Sequence, residues 1–143
     1  MLSDRSVRRV DFVRWLLALA AIACFSLASL AATKVITDAD KGGVVHMKVS
    51  DQLELRLKSN PTTGYMWYVE KDSTPLLKLH HQSQTEIPLP VEEPPGLVGR
   101  PVFQVFTFEP RHIGTGELKL HYVRSWEPPT PEDEQFEIRV VIE

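Results

Sequence analysis

LELRLKSNPTTGYMWYVE, residues 53–70, holds two runs of alternating character around a stiff break. Leu53, Leu55 and Leu57 fall on one side of an extended chain, with Glu54, Arg56 and Lys58 on the other. Tyr65, Trp67 and Val69 alternate in the same way with Met66, Tyr68 and Glu70. A period of two sends successive side chains to opposite faces, so each run reads as a half-buried strand. Trp67, on the face of Tyr65 and Val69, is expected in the core. In the break, Pro61 fixes its own φ and biases Asn60 toward extended geometry, while Thr62 and Thr63 are stiff at χ1. Gly64 can take the positive φ that turns the chain back into a sheet. The unit is therefore strand, rigid tip, strand.

The same alternation runs outward in both directions. It recurs in VVHMKV at 44–49, LLKLHH at 76–81, PVFQVFTFE at 101–109, ELKLHYV at 117–123 and FEIRVVI at 136–142, all rich in β-branched or aromatic residues. No sustained helical spacing, repeat or low-complexity block interrupts them. Seven short strands in roughly 100 residues predict an all-β domain, an immunoglobulin-like antiparallel β-sandwich.

The front of the chain differs in kind. Arg5, Arg8, Arg9 and Arg14 precede WLLALAAIACFSLASLAA, residues 15–32, which carries no charge. Basic region, apolar core and terminal small residues are the order of an export signal. Eighteen apolar or small residues also suffice for an uncleaved membrane anchor. The clustering of Ser29, Ala31 and Ala32 at the far end favours cleavage, with a mature chain starting near Ala32 or Thr33. AIAC, residues 21–24, resembles a bacterial lipoprotein box, which would instead make Cys24 a lipidated N-terminus. The chain thus divides into a signal or anchor, 1–32, and a domain, 33–143, expected to be exported to the periplasm or beyond, or held at the membrane.

Charge and cysteine usage exclude several classes. The formal charge of the whole chain is −3, and removing residues 1–32 leaves 12 basic and 17 acidic side chains, a net −5. No polyanion partner is signalled, so nucleic acid is not expected. Cys24 is the only cysteine and lies in the leader, so residues 33–143 carry no disulfide, thiol nucleophile or thiolate ligand. No nucleophile sits beside a base, and Ser125 near His121 lacks the G-x-S-x-G setting of a serine hydrolase. His80 and His81 are adjacent on a strand and would point to opposite faces. The acidic run 128–134 lacks calcium-loop spacing. The domain is read as a non-enzyme with neither cofactor nor metal, and as a monomer.

Three connections are distinctive: NPTTG at 60–64, the long IPLPVEEPPGLVGRP at 87–101, and RSWEPPTPEDE at 124–134. NPTTG is short, hydroxylated and uncharged, and a stiff segment loses little entropy on entering a cleft. A plain turn would use the same residues. Trp126 beside Arg124 is the kind of pair that anchors interfaces, although a loop Trp often folds back on its own domain.

In this order, NPTTGYMW, a glycine-containing loop leading into VFQVFTFEP, then LHYVRSWE and the last strand FEIRVVIE resemble the chagasin-type inhibitors of papain-like cysteine proteases. The resemblance covers roughly residues 40–143. It implies an immunoglobulin-like sandwich whose three loops at one end form a wedge, inhibiting a papain-like protease reversibly and competitively. Asn60, Pro61, Thr62, Thr63, Gly64 and Tyr65 would form the central loop in the protease cleft, Thr62 and Thr63 lying nearest the catalytic Cys-His pair. Gly96, Gly99 and Arg100 would flank it on one side, Arg124 and Trp126 on the other. The chain departs from the family pattern at Val98 and Arg100, which flank a single Gly99, and at Ser125, where proline is usual. An envelope-anchored binding or adhesion module, with Trp126 and Tyr65 as stacking surfaces, is the alternative on the same fold.

Overall fold

The computed structural model describes residues 30–71, 73–87 and 99–143. Residues 1–29 of the leader, Cys24 among them, lie outside the described residues, as does most of the loop before residue 99. Eight strands follow in order: β1 Thr33–Thr37, β2 Val44–Met47, β3 Gln52–Ser59, β4 Tyr65–Val69, β5 Leu77–Glu86, β6 Val102–Pro110, β7 Gly114–Arg124 and β8 Glu134–Ile142. Two short 3-10 turns, Asp38–Asp40 and Pro61–Thr63, complete the regular structure, with no α-helix among the described residues. The strands form two four-stranded sheets, ordered β1-β3-β6-β5 and β2-β8-β7-β4. This is the expected immunoglobulin-like sandwich.

It has one strand more than the sequence pattern predicts. β1, TKVIT, buries only Ile36 among its five residues, so no alternation announces it. It runs parallel to β3, and β2 runs parallel to β8, so two of the edge pairings depart from the antiparallel expectation. The chain changes sheets between β1 and β2 at Asp38–Asp40. There Thr37 and Asp40 form a reciprocal capping box, with the Thr37 N–H donating to Asp40 Oδ2 at 2.8 Å. β5 is ten residues long rather than six, and a register shift between Leu79 and His81 marks a bulge. That bulge breaks the strict alternation expected of His80 and His81. His80 Nδ1 lies 3.4 Å from Glu109 Oε1 instead.

Leu53, Leu55 and Leu57 are buried, as their spacing requires, and meet Leu118, Leu120, Phe136 and Ile138 of the opposite sheet. Phe106 and Phe108, also buried, have ring centroids 6.3 Å apart. Trp67 is only 4% exposed. Its indole N–H donates to the Lys58 carbonyl at 2.9 Å, and its ring lies 5.1 Å from that of Tyr122.

One polar side chain interrupts this apolar interior. Gln104 of β6 is fully buried and faces β4 of the other sheet. The Trp67 N–H donates to Gln104 Oε1 at 2.9 Å, and Gln104 Nε2 donates to the Trp67 carbonyl at 2.7 Å. Among the described residues β4 is an edge strand paired only with β7, and no strand there bonds these backbone groups of Trp67. The Gln104 amide supplies the missing donor and acceptor together. Buried polar groups are stable only when so paired.

Gln104→Leu keeps the side-chain size but strands a buried N–H and a buried C=O, each costing about 1–3 kcal/mol. The domain should lose about 2–5 kcal/mol, measured by urea denaturation. An unchanged midpoint would show that β4 is held by other contacts.

Candidate functional site

Strand register gathers the described parts of the three distinctive loops at one end. The last residue of β3, Ser59, pairs with the first of β6, Val102. The segment ending in Gly99 and Arg100 is thereby brought beside Asn60. The first residue of β4, Tyr65, pairs with the last of β7, Arg124, bringing Trp126 beside Gly64. Loop 60–64 lies between them and crosses from one sheet to the other.

The central loop is a 3-10 turn rather than a hairpin turn. Thr63 N–H donates to the Asn60 carbonyl at 3.1 Å, and Gly64 N–H to the Pro61 carbonyl at 3.0 Å. Pro61 occupies the first turn, where its missing N–H costs nothing. Gly64 closes it at φ +83°, the left-handed conformation expected of it.

Asn60 is the hub of this loop, a role its sequence context does not reveal. Its side-chain oxygen accepts from Thr62 Oγ1 at 2.6 Å, its carbonyl from Thr63 Oγ1 at 2.6 Å, and its own N–H donates to Tyr122 Oη at 2.9 Å. The threonine hydroxyls therefore spend their protons inside the loop instead of offering them outward. Both threonines are exposed, presenting methyl groups and acceptor lone pairs at an uncharged apex. Tyr122 was not among the residues singled out from sequence. Its place at the end of the inward-facing series Leu118, Leu120, Tyr122 is the available signal, since the hydroxyl on a half-buried tyrosine needs a partner.

The flanking segments touch this loop closely. A Cβ placed on Gly99, at φ +97°, would overlap Thr62 Oγ1 and lie 3.3 Å from Asn60 Oδ1, so glycine is required there by both conformation and space. Arg100 is exposed beside it, and Gly96 lies outside the described residues. On the other flank, Arg124 Nε donates to the Thr63 carbonyl at 3.3 Å, and its guanidinium sits 4.5 Å above the Tyr65 ring. The same guanidinium pairs with Glu127 at 3.3 Å. Trp126 is 68% exposed, yet a Cβ on Gly64 would fall 2.6 Å from its Cη2. The indole thus leans on the Gly64 backbone with its outer face in solvent.

The described part of this site is built from backbone amides, hydroxyls, an indole and guanidinium groups. Among the described residues no three His, Cys, Asp or Glu side chains gather as a metal site. A sandwich carrying a stiff 3-10 tip at one end, with Gly99 and Trp126 packed against it, defines a binding domain. The chain matches the chagasin family of peptidase inhibitors, I42, over residues 46–140, and it belongs to that family. It is similar to amoebiasin-2 of Entamoeba histolytica, with 31% identity over 107 residues spanning 75% of this chain and 81% of the relative. It is also similar to chagasin of Trypanosoma cruzi, 31% identical over 108 residues that span 72% of this chain and 92% of the relative. Among solved structures, it resembles the crystal structure of a cysteine protease inhibitor from Entamoeba histolytica, with a TM-score of 0.66 and 27% identity, covering 81% of this chain and all of that one.

The Trp126 contact has a direct readout. An indole seated against Gly64 shifts the Gly64 Hα resonances by its ring current. Trp126→Ala should return them to ordinary glycine values while changing stability by less than about 0.5 kcal/mol, as for an exposed side chain. Gly64 resonances that do not move would place the indole elsewhere in solution.

Proposed function

We propose that this domain is a reversible, competitive inhibitor of papain-like cysteine proteases, with the ridge of three loops as its contact surface. The observation that carries the reading is the internally bonded, uncharged apex at Thr62 and Thr63, with Gly99 packed against Thr62 and Trp126 against Gly64. A protease of this class cleaves when its thiolate reaches a carbonyl whose oxygen enters the oxyanion site. The carbonyl oxygens of Asn60, Pro61 and Thr63 are engaged by donors of this domain. The loop can therefore fill a cleft without offering those groups for attack, and its stiffness keeps the entropy loss on binding small. In this reading Asn60 to Tyr65 enter the cleft. Gly99 and Arg100, together with Gly96, line one flank, and Arg124 and Trp126 the other.

The alternative, an adhesion or carbohydrate module, needs open aromatic platforms. Trp126 provides one, but the ring of Tyr65 is already covered by Arg124. The paired stacking surface that this alternative requires is not available.

We also propose that the leader, residues 1–32, exports the domain to the periplasm or beyond. The basic-then-apolar order of residues 5–32 supports this. Recovery of the intact chain, Met1 included, from the cytoplasmic fraction would refute it.

Replacing Thr62 and Thr63 together by Asp should leave the circular dichroism spectrum unchanged, because both side chains are exposed. It should raise the inhibition constant against papain more than tenfold, a loss of at least about 1.4 kcal/mol. Trp126→Ala should cost less than the double change if that flank supplies contact area alone. Absence of inhibition by the wild-type domain at micromolar concentration against several papain-like enzymes would overturn the proposal.

A further inference from the structure

Asp51 has no place in the site described above, yet among the described residues it is one of three buried polar ones. Its Oδ2 accepts from the Lys48 N–H at 2.8 Å and its Oδ1 from the Ala32 N–H at 3.1 Å. Ala32 is the residue immediately before β1, and its carbonyl in turn accepts from the Gln52 N–H at 2.8 Å. One carboxylate therefore ties the entry of β1 to the start of β3. A full negative charge is thus shared between two backbone nitrogens, those of Lys48 and Ala32. The Ala32 nitrogen lies where the sequence carries a processing signal: Ser29 and Ala31 are the small residues of an A-x-A-like site, which puts the scissile bond directly before Ala32.

We propose that the chain is cut between Ala31 and Ala32, and that the new α-ammonium of Ala32 docks on the Asp51 carboxylate as an ion pair locking β1 against β3. The inference rests on the export reading. An envelope endopeptidase would add water across the amide. The C–N bond breaks, the Ala31 carbonyl gains the oxygen and leaves as a carboxylate, and the Ala32 nitrogen takes up protons to become –NH3+. An amide hydrogen bond to a buried carboxylate then becomes a charge-assisted one, which is shorter and stronger. Ala32 is exposed, so the two remaining ammonium protons reach water.

The surrounding charges suit this role. The two backbone N–H groups, of Lys48 first and then Ala32, hold the Asp51 carboxyl below its ordinary value, and the Lys34 and Lys48 side chains add to that against the opposing effect of burial. Glu109 lies across the same concavity as Ala31, Ala32 and Asp51. Glu143 adjoins through its carbonyl, which accepts from the Val49 N–H. A carboxylate partner raises the α-amine above its ordinary range of about 7.7–8.0. Stability from a raised group is fully present below the unfolded value and is lost as pH rises through the folded one. The Asp51 part has the opposite sense, vanishing as pH falls through its own depressed value.

The test uses the full chain, produced with its leader in a bacterial host and recovered from the envelope. Its N-terminus is sequenced, and its α-amine is titrated by competitive labelling with acetic anhydride. The expected start is Ala32, with an amine about tenfold more basic than an ordinary one. Asp51→Asn should return it to the ordinary range and abolish the fall in thermal midpoint as pH rises above the ordinary amine range. The wild-type titration decides the matter even if that variant fails to fold. A start at Cys24, Thr33 or any other residue overturns this proposal and leaves export standing, whereas intact Met1 in the cytoplasm overturns both. An Ala32 start with an ordinary titration overturns the docking.

Discussion

The two hydrogen bonds between the Gln104 amide and the Trp67 backbone are the constraint on which the rest of this sandwich depends. Hydrophobic burial holds the sheets together but fixes neither their register nor the position of an edge strand, because it is non-directional. A buried amide facing a backbone donor and acceptor is directional. It places β4 at one position relative to β6, and β4 is the strand onto which loop 60–64 returns after leaving β3. Trp67 adds a second tie through its indole N–H to Lys58, next to the last residue of β3. Both legs of the tip are thereby anchored to the opposite sheet before the tip itself makes a contact. Asn60 and Tyr122 then set the angle at which it leaves the core.

Much of the fold was legible because its strands alternate. Leu53 to Leu57, Trp67 and the inward residues of β7 and β8 are buried where period two puts them. β1 was not legible, since a short edge strand with a single buried residue leaves no periodic trace. The parallel pairings were hidden for a related reason: pairing direction depends on where the chain switches sheets, and the switch at Asp38–Asp40 is signalled only by a capping box. Gln104 reads in sequence as a polar interruption of VFQVFTFE, and only its opposite neighbour explains it.

Within the site, local chemistry was easier to read than contact. Pro61 and Gly64 behave as their backbone preferences dictate. That Gly99 must be glycine because Thr62 and Asn60 crowd it, or that Trp126 leans on Gly64, involves residues far apart in the chain. Register brings them together, and no single stretch contains that information. The threonine hydroxyls illustrate the same limit. Their donor capacity is a property of the residue, but its expenditure on Asn60 is a property of the turn.

The bulge in β5 bears on how this domain behaves in company. A two-sheet sandwich has four open edges, and three of them here, β1, β2 and β4, are no longer than five residues. β5 alone presents a ten-residue margin, long enough to recruit a strand from a second molecule. The register shift at His80 interrupts its row of backbone donors and acceptors, and Lys78, His80, His81 and Glu86 are exposed along it. An irregular, polar margin disfavours the strand-by-strand stacking that leads to fibres. The longest described edge of this sandwich is thus poorly matched to a partner strand by its own irregularity, without any disulfide to stiffen it.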